Sequence, residues 1–230
     1  MRLNRYLAAC GLGSRRKTEE LIKNGLISVN GEIVRDFIDI DPRSENVLYK
    51  GKPIKLQDKL YFAFYKPPFV ISSLKDGTHR CIGDFFGHLD IRVFPVGRLD
   101  YLSEGLIFVT NDGLFANKVT HPSKKVKKTY LIKTKKQIES KLLNELSKGT
   151  ILEDGFFKPL FISFTENKLW IKLVMDSGRN RVIRRFFKKF DIGIDVLKRI
   201  SIGGIKLGNL APGEYRLLEE SEILQLTQSK

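Results

Sequence analysis

Apolar positions near the start of the chain recur with helical spacing. Leu3, Tyr6, Leu7 and Cys10 fall at i, i+3, i+4 and i+7, and Gly11 and Gly13 then supply stop signals. Ser14 is placed to cap a second helix over about Arg15 to Lys23, with Leu21 and Ile22 facing inward and Asn24-Gly25 ending it. The pattern then shortens to strand period. Leu26 to Val29 and Glu32 to Val34 flank Asn30-Gly31, a dipeptide that favours a type I′ hairpin. From Pro42 to Asp58, Pro, Gly and charge dominate, which predicts the end of the first module and a linker, with a domain boundary near Lys59 dividing the chain into residues 1–58 and 59–230.

Beyond the boundary the pattern is mixed. Leu60 to Tyr65 predicts an aromatic-rich buried strand closed by Lys66-Pro67-Pro68, and Val70 to Ser73 a second strand. Residues 74–92 read as loop, with Ile82 to Leu89 as a candidate helix. Val93 to Val96 and Leu106 to Val109 predict two strands joined by the charged segment Gly97 to Gly105. Asn111-Asp112-Gly113 then leads into a helix over Leu114 to Val119, which Pro122 stops. A strand at Thr129 to Ile132 follows, then an amphipathic helix from Gln137 to Leu146 ended by Gly149, and strands near 156–164 and 169–175. The run 176–190 turns from loop into helix, with Ile183, Phe186, Phe187 and Phe190 on its apolar face. The tail from Val196 to Leu218 carries two short strands broken by Gly203-Gly204 and Gly208.

Charge then narrows the partners. The 230 residues hold 41 Lys and Arg against 26 Asp and Glu, a formal net charge of +15, which points to a polyanion. Residues 1–58 carry +3 and residues 59–230 carry +12, so both parts face phosphate. Arg15, Arg16 and Lys17 occupy the first turn of a helix, where the helix dipole disfavours cations, so a phosphate contact is the better reading there. No apolar run approaches the roughly 20 residues of a membrane span, and the N-terminus lacks a secretory core, so no membrane partner and a cytoplasmic location are expected. Cys10, Cys81, His79, His88 and His121 are too scattered for a disulfide framework or a set of zinc ligands. There is no internal repeat, no Walker glycine-lysine loop and no complete dinucleotide fingerprint.

Candidate chemistry sits at Asp100. A carboxylate between two apolar strands needs a partner; on its own segment an ion pair with Arg98 or a distant Arg is the better reading, and a catalytic carboxylate beside a cleft the alternative. The basic residues of the Lys124 to Lys128 cluster, running into Tyr130, could be a nucleic-acid track with a stacking ring, or simply solvated surface.

Two resemblances resolve the choice. The run Arg2 to Leu7, with Gly11, Ser14-Arg15-Arg16, Leu21-Ile22, Gly25 and Val29-Asn30-Gly31, resembles the small RNA-binding module of ribosomal protein S-four type, the alpha-L motif. Gly97-Arg98-Leu99-Asp100 through Ser103-Glu104-Gly105-Leu106, then Lys128-Thr129-Tyr130, then Gly178-Arg179-Asn180-Arg181 through Ile183-Arg184-Arg185, resemble the pseudouridine synthases of the RsuA-type ribosomal branch; Lys66-Pro67 and Asn111-Asp112-Gly113 fit as well. The resemblance implies an α+β protein: the small module, then a catalytic domain on a mixed, mostly antiparallel sheet, with helices on one side and the cleft on the other. It implies site-specific isomerisation of uridine to pseudouridine in ribosomal RNA without metal or organic cofactor, by a protein expected to be monomeric. Asp100 is then the catalyst, with Tyr130, Arg184, Arg98, Leu106 and Ile183 against the substrate. RNA contacts are expected from Arg2, Arg5, Ser14, Arg15, Arg16, Lys17, Asn30, Lys127, Lys128, Arg179, Arg181 and Arg185. The chain departs from the branch at Ser177, where Glu is usual, and at Val182, where Gln is common. A non-catalytic RNA-binding protein and a hydrolase with Asp100 as general base are the rival classes; the presence of Asp100 with Tyr130 disfavours the first, and the lack of a second acid or metal site the second.

Overall fold

The computed structural model describes residues 1–166 and 168–228. The chain divides into two compact units, residues 1–59 with 89–92, and residues 60–88 with 93–230.

In the first unit, α1 (Leu3–Ala9) and α2 (Arg15–Lys23) precede β1 (Ile27–Val29), β2 (Glu32–Val34), β3 (Val47–Tyr49) and β4 (Lys52–Pro53). The helices bury Leu3, Tyr6, Leu7 and Ile22 against Ile27, Val29 and Val47, so the i, i+3, i+4 stripe forms the core. Ser14 caps α2 by accepting from the Lys17 amide at 3.2 Å. Asn30 (φ 52°) and Gly31 (φ 91°) make the expected hairpin turn. Within the stretch expected to end the module and begin a linker, β3 and β4 form a second hairpin through Lys50 and Gly51, both at positive φ, and extend the sheet to the order β2-β1-β3-β4. Val47-Leu48-Tyr49 is an apolar run of only three residues, too short to show a period.

The second unit is built on one large sheet. Its strands are β5 (Tyr61–Lys66), β6 (Phe94–Val96), β7 (Glu104–Thr110), β8 (Lys128–Thr134), β11 (Phe161–Phe164), β12 (Trp170–Met175), β13 (Ile194–Ile202), β14 (Ile205–Lys206) and β15 (Tyr215–Leu217). A separate ribbon pairs β9 (Thr150–Leu152) with β10 (Gly155–Phe157). The main order is β11-β12-β8-β13-β7-β5-β15, with β14 on β13 and β6 on β7. Every pair is antiparallel except β7 with β13, so the sheet is mixed and mostly antiparallel, as expected.

Helices complete the unit. Asp112 caps α3 (Gly113–Thr120) by accepting from the Leu114 and Phe115 amides. α3 and the C-terminal α6 (Glu220–Gln228) place Phe115, Val119 and Leu226 in one core with Ala63, Tyr65, Leu106 and Phe108 of the sheet. α4 (Ser140–Lys148) ends at Gly149, and α5 (Val182–Lys189) buries Ile183, Phe186 and Phe187. The expectation of helices confined to the side away from the cleft is corrected, because α5 lines the cleft with Val182, Ile183 and Arg184. Val70 to Ser73 forms only an isolated bridge, Ile71 with Cys81, and Ile82–Phe85 is a single 3₁₀ turn.

The parallel contact sets a backbone demand. A Cβ on Gly105 (φ 103°) would lie 2.2 Å from the Arg199 carbonyl oxygen. No L side chain suits that angle or that gap. Gly105→Ala is therefore expected to destabilise the protein by about 3 kcal/mol, from backbone strain and overpacking together, as read from urea unfolding midpoints; an unchanged midpoint would mean that β7 and β13 do not meet this closely.

Candidate active site

The charged segment between β6 and β7 is a tight turn in which the Ser103 amide donates to the Asp100 carbonyl at 2.9 Å. It is pinned from the side. Ser72 Oγ donates to the Leu99 carbonyl at 2.8 Å and accepts from the Leu99 amide at 3.0 Å, while the Phe69 amide donates to the Tyr101 carbonyl at 2.7 Å. Leu99 is buried, so the residue before Asp100 is fixed by packing as well as by hydrogen bonds.

Lys66 anchors the pinning segment. Its side chain is fully buried and its Nζ donates to the carbonyls of Pro67 and Val70 at 2.7 and 2.8 Å. Burial pulls its pKa down to about 8, against the opposing pull of Glu104 and Asp100. Lys128, donating to the Val126 carbonyl at 3.1 Å, is likewise lowered to about 8, by burial first and by Arg199 second.

Asp100 opens onto a cavity of about 180 Å³, room for about six waters and so for one small planar group. Tyr130, Lys128, Arg184, Ile183 and Arg98 share its wall. The Asp100 Oδ2 lies 3.8 Å from Arg184 Nε, within reach of Coulomb attraction and beyond a hydrogen bond, and Arg184 Nη2 donates to Ser103 Oγ at 3.2 Å. Burial lowers the Arg184 pKa and the Asp100 charge partly restores it. Tyr130 is buried on β8, where its register partner on β13 is Arg199.

Three buried polar atoms lack a hydrogen-bond partner among the described residues: Ser177 Oγ, Arg184 Nε and Arg199 Nη2. All three residues line this cavity. An orphaned buried donor costs its full desolvation, so three at one cavity mark a place shaped for a polar ligand. Arg199 is almost wholly buried and spends its Nε on the Leu106 carbonyl at 2.7 Å, while its Nη2 stays unpaired among the described residues. Arg199 was missed in the sequence, although a cation in phase with inward-facing Leu197 on β13 is the signal for it.

Some expected contacts are corrected. Leu106 is fully buried in the core beside Ala63 and Phe108, because Gly105 takes the strand position next to Arg199 and alternation turns Leu106 to the other face. Arg185 binds Asp154 through both terminal nitrogens, at 2.9 and 2.7 Å, and Arg179 donates to the Asp154 carboxylate and to the carbonyls of Asp154, Gly155 and Phe156. These two arginines hold the turn between β9 and β10. Arg179 still borders the cavity, as does exposed Arg181, which begins α5 in the left-handed region (φ 46°). Lys127 is exposed outside the cavity wall. In the first unit Arg2, Arg5, Arg15, Arg16 and Lys17 are exposed, with no acidic residue in the first turn of α2. The Ser14 hydroxyl and the Asn30 Oδ1 are occupied by the helix cap and by the Asn46 amide.

Comparison with known proteins agrees on both units. Residues 60–189 match the family model described as RNA pseudouridylate synthase, and residues 1–36 match the S4 domain. A Bacillus subtilis protein named ribosomal large subunit pseudouridine synthase B is 37% identical over 98% of this chain and 95% of its own length. An Aquifex aeolicus RNA pseudouridine synthase of uncharacterised specificity is 39% identical over 98% and 93%. A crystal structure of a pseudouridylate synthase superposes with a TM-score of 0.70 at 27% identity, covering 98% of this chain and 99% of the other.

Two outcomes follow from this geometry. Ser72→Ala leaves both polar groups of Leu99 unpaired; it is expected to cost about 2 kcal/mol in unfolding and to lower kcat about tenfold with KM nearly unchanged, since the loop carrying Asp100 loosens while the cavity stays. A loss confined to stability would remove Ser72 from the positioning of Asp100. The second concerns pH. Lys66 and Lys128 have folded pKa values below the unfolded one, so from about pH 8 upward the unfolded chain holds lysine protons that the folded chain has released, and these two groups make stability rise with pH, until above about pH 9 Cys10, pushed up to about 11 by burial, acts in the opposite sense. Urea unfolding between about pH 8 and 9 should show a slope that is more positive in the native chain than in Lys128→Met; equal slopes would contradict it.

Proposed function

The chain belongs to the RNA pseudouridylate synthase family, whose members isomerise uridine to pseudouridine in RNA, and we propose that it does so at a site in ribosomal RNA with Asp100 as the catalytic carboxylate. The carrying observation is that Asp100, Tyr130, Ser177, Arg184 and Arg199 line one cavity of single-base size, the last three each with a buried polar atom that has no hydrogen-bond partner among the described residues.

The reaction breaks the bond between N1 of uracil and C1′ of ribose, turns the base and joins C5 to C1′. The C5 proton is lost and N1 gains one, so atoms balance without a donor or an oxidant. A carboxylate beside C1′ can attack that carbon or shield its developing positive charge, and Asp100 is the group at the cavity mouth able to do either. The detached uracil has to be kept close while it turns. Tyr130 offers a flat wall on which it can slide, and the guanidinium groups of Arg184 and Arg199 in the same wall are of the donor type that suits its carbonyl oxygens in either orientation. A uridine in a helix has to leave its stack to reach such a cavity, and the exposed Arg98 at the rim is placed to meet the RNA there.

A ribosomal substrate is supported by the S4 domain, by the net charge of +15 and by the name of the Bacillus subtilis relative, which also makes the large subunit the first place to look. Ribosomal RNA from cells lacking the protein is expected to have lost one pseudouridine, mapped by carbodiimide adduct stops because the isomer has unchanged mass. The native gene should restore it, and Asp100→Asn, with turnover reduced about a thousandfold or more, should not. Restoration by the Asn variant would remove Asp100 from the chemistry.

A further inference from the structure

Beside the cavity lies an aromatic patch that the isomerisation itself does not use. Phe69 is 60% exposed, Tyr101 39% and Leu102 52%. The rings of Phe69 and Tyr101 meet edge to face at 5.7 Å, and the His79 ring meets Tyr101 edge to face at 5.2 Å. His79 is itself held by Asp76, whose Oδ1 accepts from the His79 amide at 2.9 Å. Edge-to-face packing fixes the rings and leaves flat surface open to solvent.

The backbone under the patch is strained for its residue. Phe69 has φ 61°, a region where a bulky side chain is an outlier and glycine is at ease. Its amide donates to the Tyr101 carbonyl at 2.7 Å, so that conformation is tied to the loop that carries Asp100. An exposed phenylalanine in a glycine conformation lowers both solubility and stability while burying little, so its ring has a use outside the folded core.

We propose that Phe69 and Tyr101 form a stacking site for an unpaired base next to the target uridine. This rests on the reading of the cavity as the uridine site. The covalent geometry supports it: Tyr101 directly follows Asp100, and consecutive Cα atoms are about 3.8 Å apart, so the patch lies within reach of a nucleotide joined to the one over Asp100. Charge agrees, because exposed Arg98 stands at the same rim and can meet the intervening phosphate. A base pulled from a helix leaves its neighbours without a stacking partner, and a fixed aromatic ring replaces what they lost. The rings read a face that all four bases share, so the site adds affinity without choosing sequence.

Phe69→Gly separates this role from a structural one, since it removes the ring and relieves the backbone together. Its melting temperature should stay level or rise by about 3 °C. With a synthetic RNA hairpin containing the mapped uridine, kcat/KM should fall about tenfold, the loss carried by KM. Two further hairpins carry 2-aminopurine on the 5′ or the 3′ side of that uridine and are read at saturating Asp100→Asn protein. One of them should be brighter when Phe69→Gly is added to that background, because an aromatic neighbour quenches the probe. Unchanged kcat/KM overturns the proposal, as does a raised KM with equal brightness on both sides. Equal binding of the naked hairpin with loss of binding to ribosomal particles would assign the patch to a protein partner and equally overturn it. Native protein on the unlabelled hairpin is the control for the parent reading: no pseudouridine there sinks the reading of the cavity, whereas pseudouridine formed equally well by Phe69→Gly sinks the stacking site alone.

Discussion

The parallel pairing of β7 with β13 is the constraint on which the second unit turns. It joins Gly105 to Arg199 across ninety-odd residues of chain, and it is the one parallel contact in an otherwise antiparallel sheet. Parallel neighbours need a long crossover, and here the crossover contains α3, β8, the β9–β10 ribbon, β12 and α5. The parts of the cleft wall that lie far from Asp100 in sequence, Tyr130 and Arg184, are therefore carried within that excursion and returned to Asp100 when β13 docks. The absence of a side chain at Gly105 permits the docking, and the Arg199 guanidinium secures it by donating to the Leu106 carbonyl.

Cations collect near the same contact: Arg199 on β13 and Lys66 on β5 both pair with Gly105, and Lys128 shares the cavity wall with Arg199. Each is held by backbone: Arg199 by the β7 carbonyl, Lys66 by the loop after β5, Lys128 by the carbonyl of Val126. Burial first, and the Arg199 charge after it, lowers the two lysines to about 8, and Asp100, Glu104 and Asp176 offset only part of it. An electropositive floor with a free donor costs stability in isolation. It is suited to an RNA nucleotide, which brings phosphate charge and carbonyl oxygens together.

Local features were legible where one period or one dipeptide decides them. The α1 stripe, the Ser14 and Asp112 caps, the Asn30-Gly31 turn and the Phe186-Phe187 face of α5 each depend on a few neighbouring residues. The β3–β4 hairpin, the β9–β10 ribbon and α6 were not read as such, because the strands are only two or three residues long, too short for a period, and the place of α6 is set by packing on a core built elsewhere. Within the site, Asp100, Tyr130 and Arg184 stood out through the spacing of motifs rather than any local pattern. Arg179 and Arg185 were misjudged for the same reason that they were noticed: an Arg-rich turn reads as phosphate-binding until Asp154, some twenty-five to thirty residues earlier, is seen to occupy both. Charge partners separated by that distance in sequence leave no signal in either segment.

Ser72 shows the limit from the other side. A lone serine in a short apolar run carries no motif, yet it satisfies both polar groups of Leu99 and so fixes the residue before the carboxylate. Lys66 acts one step further out, tying Pro67 and Val70 with a buried ammonium. The order of support is thus from a buried charge, through carbonyls, to a hydroxyl, to the turn that presents Asp100, and every link is between groups that would be unsatisfied without it. Such a chain resists small displacements because no single bond can lengthen without exposing a buried polar group. On the proposed role of Asp100, isomerisation needs that: the base has to be free to turn while the carboxylate beside C1′ is not. The mobile partner in such a site would be the substrate, with the turn held still beside it.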